Sequence, residues 1–287
     1  MIWGFAGPWY GEFTEKNGRH TKDENEQRYI QLEFLQRYGF KCTGMPLKRF
    51  AALEEAERDK LAQYLADHDL CYSAGVGYKY LEADEDECKR QAEEHAALLQ
   101  TCVPQLRSPI CTTGPHAGHR FDREMPVEEK LERLSRALTP LAAACAEIGA
   151  PLGIENHCDY YVSDLVELCE MTPNLHIFLD TGNTYMIGEK PLPAFKEAAP
   201  YTIGSHFKDH MVCPRPNGRP MNFEVTGAAL GDGDVPLREC YEVLQAGAPN
   251  PDTLVMEVEM IAPREGMTPI EAMERSVAFI KSLEAGK

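Results

Sequence analysis

The amino-acid sequence predicts a single (β/α)8 barrel spanning residues 1–287. Three observations predict it. Short, continuously apolar runs alternate with stretches of helical periodicity; the alternation repeats eight times; and no linker, low-complexity tract or shift in composition interrupts it. A strand buried on both faces of a parallel sheet reads as such a continuous apolar run. A chain of 287 residues admits one large barrel or two medium domains. Eight regular alternations favour the closed barrel over a doubly wound sheet.

The first strand is MIWGFAG, ended by a turn at Gly7-Pro8. Residues 23–40 follow as a helix, with Tyr29, Ile30, Leu32, Phe34 and Leu35 at helical spacing and Gly39 closing it. KCTGM is the second strand, and residues 49–69 make a helix with leucines and alanines on one stripe. LCYSAGVG is the third strand; the helix over 83–103 opens with an acidic turn that suits its dipole. SPICTTG precedes a helix over 126–150, where Pro126 suits a helix start. PLGIENH with VSDLVELCEM is the fifth pair, and LHIFLDTGN with LPAFKEAA is the sixth. TIGSHFKD opens the seventh, and a long loop over 210–234, rich in proline, leads to a helix over 235–247. Long ordered loops on that side of a barrel are often functional. TLVMEVE and a helix over 269–286 complete the eighth.

Composition narrows the function. There are 29 basic against 46 acidic residues, a formal net charge of −17. That balance opposes nonspecific binding to nucleic acid or anionic lipid, so neither is an expected partner. No apolar run approaches the ~20 residues needed to cross a bilayer. The first residues lack the basic segment and small-residue cleavage site of a secretory signal, and a cytoplasmic protein with reduced thiols is expected. The ten cysteines form no CxxC pair, so they read as small hydrophobes rather than zinc ligands. The oligomeric state is open: a homo-oligomer or a partner subunit is equally allowed.

The chemistry gathers between Gly153 and Glu257. GIENH, FLDTGN, SHFKDH and LVMEVE are apolar runs ending in Glu155, Asp180, His206 and Glu257. Barrel active sites lie at the C-terminal ends of the strands, and these four fall there on strands five to eight. A buried unpaired charge costs several kcal/mol; four such ends offset one another if they converge on a cation. Three carboxylates and one imidazole suit a divalent ion with open positions: Mn²⁺ first, with Mg²⁺, Co²⁺ or Zn²⁺ as alternatives. For any one of the four, an ordinary polar strand end is the simpler reading; four in consecutive strands favour the metal. Strand alternation gives Lys208 the inward face of His206, and gives Glu257 and Glu259 the same face. Glu257 is selected because the apolar run Leu254–Met256 leads directly into it.

The IEN, LDTGN, HFKD and VMEVE blocks, with LGDGDVPL before the last, resemble the xylose-isomerase-like sugar isomerase/epimerase superfamily. Within it they are most similar to the ketose 3-epimerase and inosose dehydratase groups. The likeness covers the second half of the chain; the first half shares only its strand–helix rhythm. The resemblance implies that Glu155, Asp180, His206 and Glu257 bind one divalent metal and that Glu155 and Glu257 form the acid/base pair. Metal coordination of a carbonyl and its neighbouring hydroxyl acidifies the adjacent C–H and stabilises an enediolate, and a carboxylate in reach removes the proton. Return of the proton to the other face epimerises, return to the neighbouring carbon isomerises, and loss of a β-hydroxyl dehydrates. A carbohydrate, keto-sugar or polyol substrate is therefore expected. The 3-epimerases carry a substrate-contacting histidine where this chain has Asn183, and an arginine soon after the metal histidine, where the nearest here is Arg215.

Further substrate contacts are expected from residues beside the strand ends. GPHAGHR after strand four offers His116 and His119, of which His119 is preferred; surface histidines in a turn are the even alternative. His157 shares the parity of Glu155, as a brace or a rim residue. Trp9, with Tyr10, follows strand one and suits the apolar face of a sugar, or packs on the barrel mouth. Lys208 is placed on a ligand carboxylate or the substrate. The rival activities are a lyase on the same site (an inosose-type dehydratase or a β-eliminating 3-keto-glycoside or C-glycoside cleaver), an apurinic endonuclease and a noncatalytic carbohydrate binder. The net charge and single-metal ligand count disfavour the endonuclease, and the intact ligand set disfavours the pure binder.

Overall fold

The computed structural model describes residues 1–6, 21–114, 118–215, 222–259 and 266–285. Its strands are β1 (Ile2–Ala6), β2 (Cys42–Pro46), β3 (Cys71–Gly75), β4 (Cys111–Thr113), β5 (Leu152–Glu155), β6 (Leu175–Phe178), β7 (Thr202–Phe207), β8 (Asp209–Pro214), β9 (Phe223–Ala228) and β10 (Val255–Glu259). The helices are α1 (Glu24–Tyr38), α2 (Leu47–Ala51), α3 (Glu55–Asp67), α4 (Glu85–Leu106), α5 (Val127–Glu147), α6 (Val162–Met171), α7 (Thr181–Met186), α8 (Pro191–Ala198), α9 (Leu237–Gly247) and α10 (Pro269–Ala285). Eight parallel strands close into a barrel in the order β1-β10-β7-β6-β5-β4-β3-β2, with β8 and β9 as a separate antiparallel ribbon. This is the expected (β/α)8 barrel.

The helices dock through the apolar stripes that the sequence prescribes. On α1, Ile30, Leu32, Phe34 and Leu35 are all buried, and Phe34 packs on Phe5 of β1 with ring centroids 5.1 Å apart. Each such side chain withdrawn from water contributes about 1.5–3 kcal/mol. Asp23 caps α1 by accepting from the N–H groups of Asn25 and Glu26, and Gly39 closes it in the left-handed region at φ 77°. Asp84 caps α4 by accepting from Glu87 N–H, beneath the expected acidic turn. Seven of the ten cysteines are buried, as expected of small hydrophobes. No helix among the described residues is long and apolar enough to cross a membrane.

Three elements depart from the sequence reading. The helix expected over 49–69 is two, α2 and α3, because Arg58 Nη1 donates to the carbonyls of Ala51 and Leu53, both at 2.9 Å, and so satisfies the break. The block after β6 turns at once into the short helix α7, capped by Asp180. The loop expected over 210–234 contains the β8–β9 ribbon, in which Asp209 faces Ala228 and Pro214 faces Phe223. A register shift between β6 and β7 at Ile177/Phe178 adds one residue to β7 just before the site. Irregularities of this kind cluster next to active sites, where they re-aim side chains.

Candidate functional site

β5, β6, β7 and β10 are successive neighbours in the barrel wall, and their C-terminal ends bring Glu155, Asp180, His206 and Glu259 together. One donor atom from each of the four lies within 4.8 Å of all the others. His206 anchors the group. Its Nδ1 is 2.9 Å from Glu155 Oε1, 3.4 Å from Glu259 Oε2 and 3.8 Å from Asp180 Oδ2. Its Nε2 points the other way, 3.3 Å from Glu257 Oε2. Phe178 holds the ring edge-on at a centroid distance of 4.8 Å.

Both inward glutamates of β10 therefore touch the histidine, from opposite sides. Glu259 stands at the strand's mouth end and joins the donor set. Glu257, selected from sequence as the fourth ligand, lies deeper, with 2% exposure. Its Oε1 accepts from Ser73 Oγ at 2.7 Å, with Cys42 Sγ 3.7 Å away, which leaves Oε2 to the imidazole. Alternation puts both glutamates on the same face, so parity does not separate them.

The chain around Asp180 fixes that carboxylate. Asn156, directly after Glu155, accepts from Asp180 N–H at 2.7 Å and donates to Asp180 O at 3.0 Å. Asp180 Oδ1 accepts from Asn183 N–H at 2.8 Å, which leaves Oδ2 for the cluster. Thr181 Oγ1 accepts from Lys208 N–H at 2.7 Å and donates to Lys208 O at 2.6 Å, tying the start of α7 to the end of β7. Gly182 is required there: a Cβ would stand 2.5 Å from His210 Nε2 and 2.7 Å from Lys208 Cδ.

Lys208 is the buried counter-charge. Its Nζ is 2.9 Å from Asp180 Oδ2 and 2.6 Å from Glu259 Oε2. Those two oxygens are buried and, despite the ion pairs, have no well-directed hydrogen bond. Four carboxylates (Glu155, Asp180, Glu257, Glu259) crowd one ammonium and one imidazole, so negative charge is in excess. An oxygen-rich set with one imidazole and excess negative charge fits a divalent cation.

Electrostatics sharpen the contrast among these groups. Burial opposes the charged form of His206, but Glu155 and the other carboxylates outweigh it and hold the imidazole well above the usual histidine range. Burial likewise works against ionised Glu155 and Glu259; the charge of His206 outweighs it in both, aided by Lys208 at Glu259, and both pKa values fall. Asp180, fully buried, is shifted upward by desolvation against the pull of Lys208. Burial disfavours the Lys208 ammonium, yet Asp180 and Glu259 raise its pKa.

Two lobes open on this cluster. The larger, about 580 Å³, is lined by Glu155, His157, His95 and Phe178; the smaller, about 390 Å³, by Glu257, Ser73, Thr43 and Arg28. Pro46, Gly75, Thr112 and His206 border both. The walls thus meet at the imidazole, with Glu155 on one side and Glu257 on the other. Cavities of this size suit a small molecule.

Other residues singled out in the sequence fall in different places. His157 lines the larger lobe. Asn183 is buried and braces the turn: its Nδ2 donates to Asn156 O at 2.8 Å and its Oδ1 lies 3.3 Å from Lys208 Nζ. His119 is exposed, lines neither lobe, and accepts from Phe121 N–H at 3.3 Å through Nδ1. Arg215 pairs with Glu224 at 2.9 Å on the outer ribbon and lines neither lobe. Trp9 and His116 lie outside the described residues. Sequence reasoning weighed Glu259 and chose Glu257; it missed Asn156 and Ser73 as braces, and His95, which lines the larger lobe. It also passed over Asp209, whose carboxylate accepts from the N–H groups of His210, Gly231, Gly233 and Val235 at 2.9–3.2 Å. Burial pushes Asp209 up to about 6 against those four donors. The signal was legible: LGDGDV supplies the closely spaced N–H groups that a buried acid requires.

Known proteins share this architecture. A family model described as xylose isomerase-like TIM barrel matches residues 32–283. A xylose isomerase-like TIM barrel protein from Mycobacterium smegmatis, solved in complex with magnesium, superposes with a TM-score of 0.65 at 17% identity, covering 91% of this chain and 89% of its own. A D-psicose 3-epimerase from Clostridium cellulolyticum H10, solved with D-tagatose, gives 0.67 at 14% identity over 99% of each chain. A 3-keto-D-glucoside 4-epimerase from E. coli gives 0.64 at 15% identity over 98% of this chain and 99% of its own. At such identities the likeness is one of fold. No curated protein matches by sequence.

Proposed function

The chain belongs to the xylose isomerase-like TIM-barrel family, and from that premise we propose that it is a divalent-metal-dependent isomerase or epimerase of a sugar, keto-sugar or polyol. The observation that carries this reading is the placement of Glu155 and Glu257 in separate lobes that meet at His206. A substrate spanning the two lobes would present its reacting carbon to a carboxylate from each side.

Glu155, Asp180 and His206 would hold the ion, with a fourth oxygen from β10, for which the donor geometry favours Glu259. Mn²⁺ is our assignment, with Mg²⁺, Co²⁺ and Zn²⁺ as alternatives. A divalent ion held there would supply the positive charge that acidifies a C–H beside a substrate carbonyl. Glu155, at the edge of the larger lobe, removes the proton. Glu257, steadied by Ser73, delivers a proton to the other face. Lys208 keeps Asp180 and Glu259 from repelling each other before the ion arrives. His157 and His95 line the larger lobe, where they can donate to hydroxyls.

The test is elemental analysis of the purified protein, followed by incubation with ketoses, inososes and 3-keto-glycosides before and after chelation. The reading expects about one divalent ion per chain and metal-dependent formation of an isomer. Release of water or of an aglycone would make the protein a lyase on the same residues. Full activity in chelator, from protein that carries no ion, would overturn the proposal.

A further inference from the structure

Charged side chains buried by this fold are nearly all matched. Lys130 donates to the carbonyls of His119 and Asp122, both at 2.7 Å; Lys208 has two carboxylates; Asp209 has four N–H donors. Arg28 of α1 is the least matched of them among the described residues. It is 6% exposed, its Nη1 donates to Asn25 Oδ1 at 2.8 Å, and among the described residues it has no carboxylate partner. A buried charge without an opposite partner is destabilising, and perturbed ionisable groups cluster at functional sites. Arg28 lines the smaller lobe, whose wall also includes His206 and Glu257. One small molecule bound at the cluster can therefore reach its guanidinium.

We propose that Arg28 reads a carboxylate on the substrate: the substrate is an acidic sugar or polyol, with its carboxylate against Arg28 in the smaller lobe and its reacting carbons between Glu155 and Glu257. The inference rests on the metal-dependent proton-transfer reading above and adds the class of substrate. A guanidinium presents parallel N–H donors that match a planar carboxylate in a bidentate fork. The charge balance selects a monoanion. Arg49, on the same wall, is already paired with Glu24 at 3.0 Å, and Glu257 adds negative charge. Among the described residues Arg28 is the one cation on that wall without a carboxylate partner, which suits a carboxylate and disfavours a phosphate dianion.

The test uses three ketoses that differ only at one end: D-fructuronate, D-fructose and D-fructose 6-phosphate. Calorimetry measures their binding to the Mn²⁺-supplied protein and to Arg28→Gln and Arg28→Lys. The wild type is expected to bind fructuronate about ten- to a hundredfold more tightly than fructose, the worth of a charge-assisted hydrogen-bonded pair. That ratio should collapse toward one in Arg28→Gln and be partly kept in Arg28→Lys. Without ligand, Arg28→Met should melt at a higher temperature than wild type, because a buried charge with no carboxylate partner among the described residues has been removed. Equal binding of all three, including no binding by any, overturns the inference. So does a preference that survives in Arg28→Gln, a preference for the phosphate ester, or a lower melting temperature for Arg28→Met. Deuterium uptake in the same samples separates the two claims. Exchange into neutral ketoses with no acid preference sinks the inference alone. Arg28-dependent acid binding with no metal-dependent exchange sinks the proton-transfer reading and leaves the anion subsite.

Discussion

Lys208→Met is the most revealing single change, because it moves stability and metal affinity in opposite directions. Lys208 is 5% exposed and faces Asp180 Oδ2 at 2.9 Å and Glu259 Oε2 at 2.6 Å. Methionine keeps most of the stem and removes the charge, leaving two buried carboxylates unmatched. Breaking a buried ion pair from one side costs about 3–5 kcal/mol. For 287 residues, an unfolding entropy of about 2.1 cal/mol/K per residue totals about 0.6 kcal/mol/K, so the chelated variant should melt roughly 5–8 °C below wild type. A divalent ion neutralises the same carboxylates and no longer meets the ammonium. If it recovers about 2 kcal/mol of the loss, its affinity rises roughly thirtyfold. Scanning calorimetry in chelator and in Mn²⁺, with titration calorimetry for the ion, reads both quantities. A chelated variant that melts within a degree of wild type, or binds the ion more weakly, refutes the claim that Lys208 occupies the cation's electrostatic place.

The other predictions concern the neighbours of that cluster. Glu259→Gln should lower ion affinity at least tenfold, whereas Glu257→Gln should keep the ion and lose proton transfer; metal analysis that finds only Glu257→Gln empty would restore Glu257 as the ligand. In Gly233→Ala the new Cβ would collide with Asp209 Oδ1 and stand 2.5 Å from His210 O. The displaced loop should cost about 1–3 kcal/mol, or roughly 2–5 °C in a thermal melt, and an unchanged melt would mean that Asp209 does not organise it. Glu189 is pushed from 4.5 up to about 7, chiefly by burial and against the Val162 N–H it accepts. A carboxyl raised on folding stabilises fully below its unfolded pKa, and that contribution is lost as pH rises through 7. Above pH 7, Glu189→Gln should therefore be more stable than wild type by about 1–3 kcal/mol, with a flatter melting-temperature profile between pH 4.5 and 7; parallel profiles would contradict the shift.

Much of the site was legible because strand ends carry their own signature. Glu155, Asp180 and His206 each close an apolar run, and neighbouring parallel strands must bring such ends together. The choice between Glu257 and Glu259 was not legible: they share a face, and only height in the barrel distinguishes them. Arg215 was expected at the site on the family pattern, but the β8–β9 ribbon carries it outward to Glu224. His119 emerges from the turn onto the surface. The break between α2 and α3 depended on Arg58 reaching back to two carbonyls, a contact that no local propensity encodes. Nothing in the sequence singles out Arg28; its burial in the folded barrel, without a carboxylate partner among the described residues, does.

The proposed function requires Glu155 to move a proton on carbon when a divalent ion fills the cluster. Incubating the wild type in D₂O with Mn²⁺ and a panel of neutral and acidic ketoses, followed by NMR, tests it directly. Deuterium should appear at the carbon beside the carbonyl, vanish on chelation, and be absent from Glu155→Gln with its ion still bound. Exchange that persists in chelator and in Glu155→Gln would mean that neither the ion nor Glu155 takes part in proton transfer.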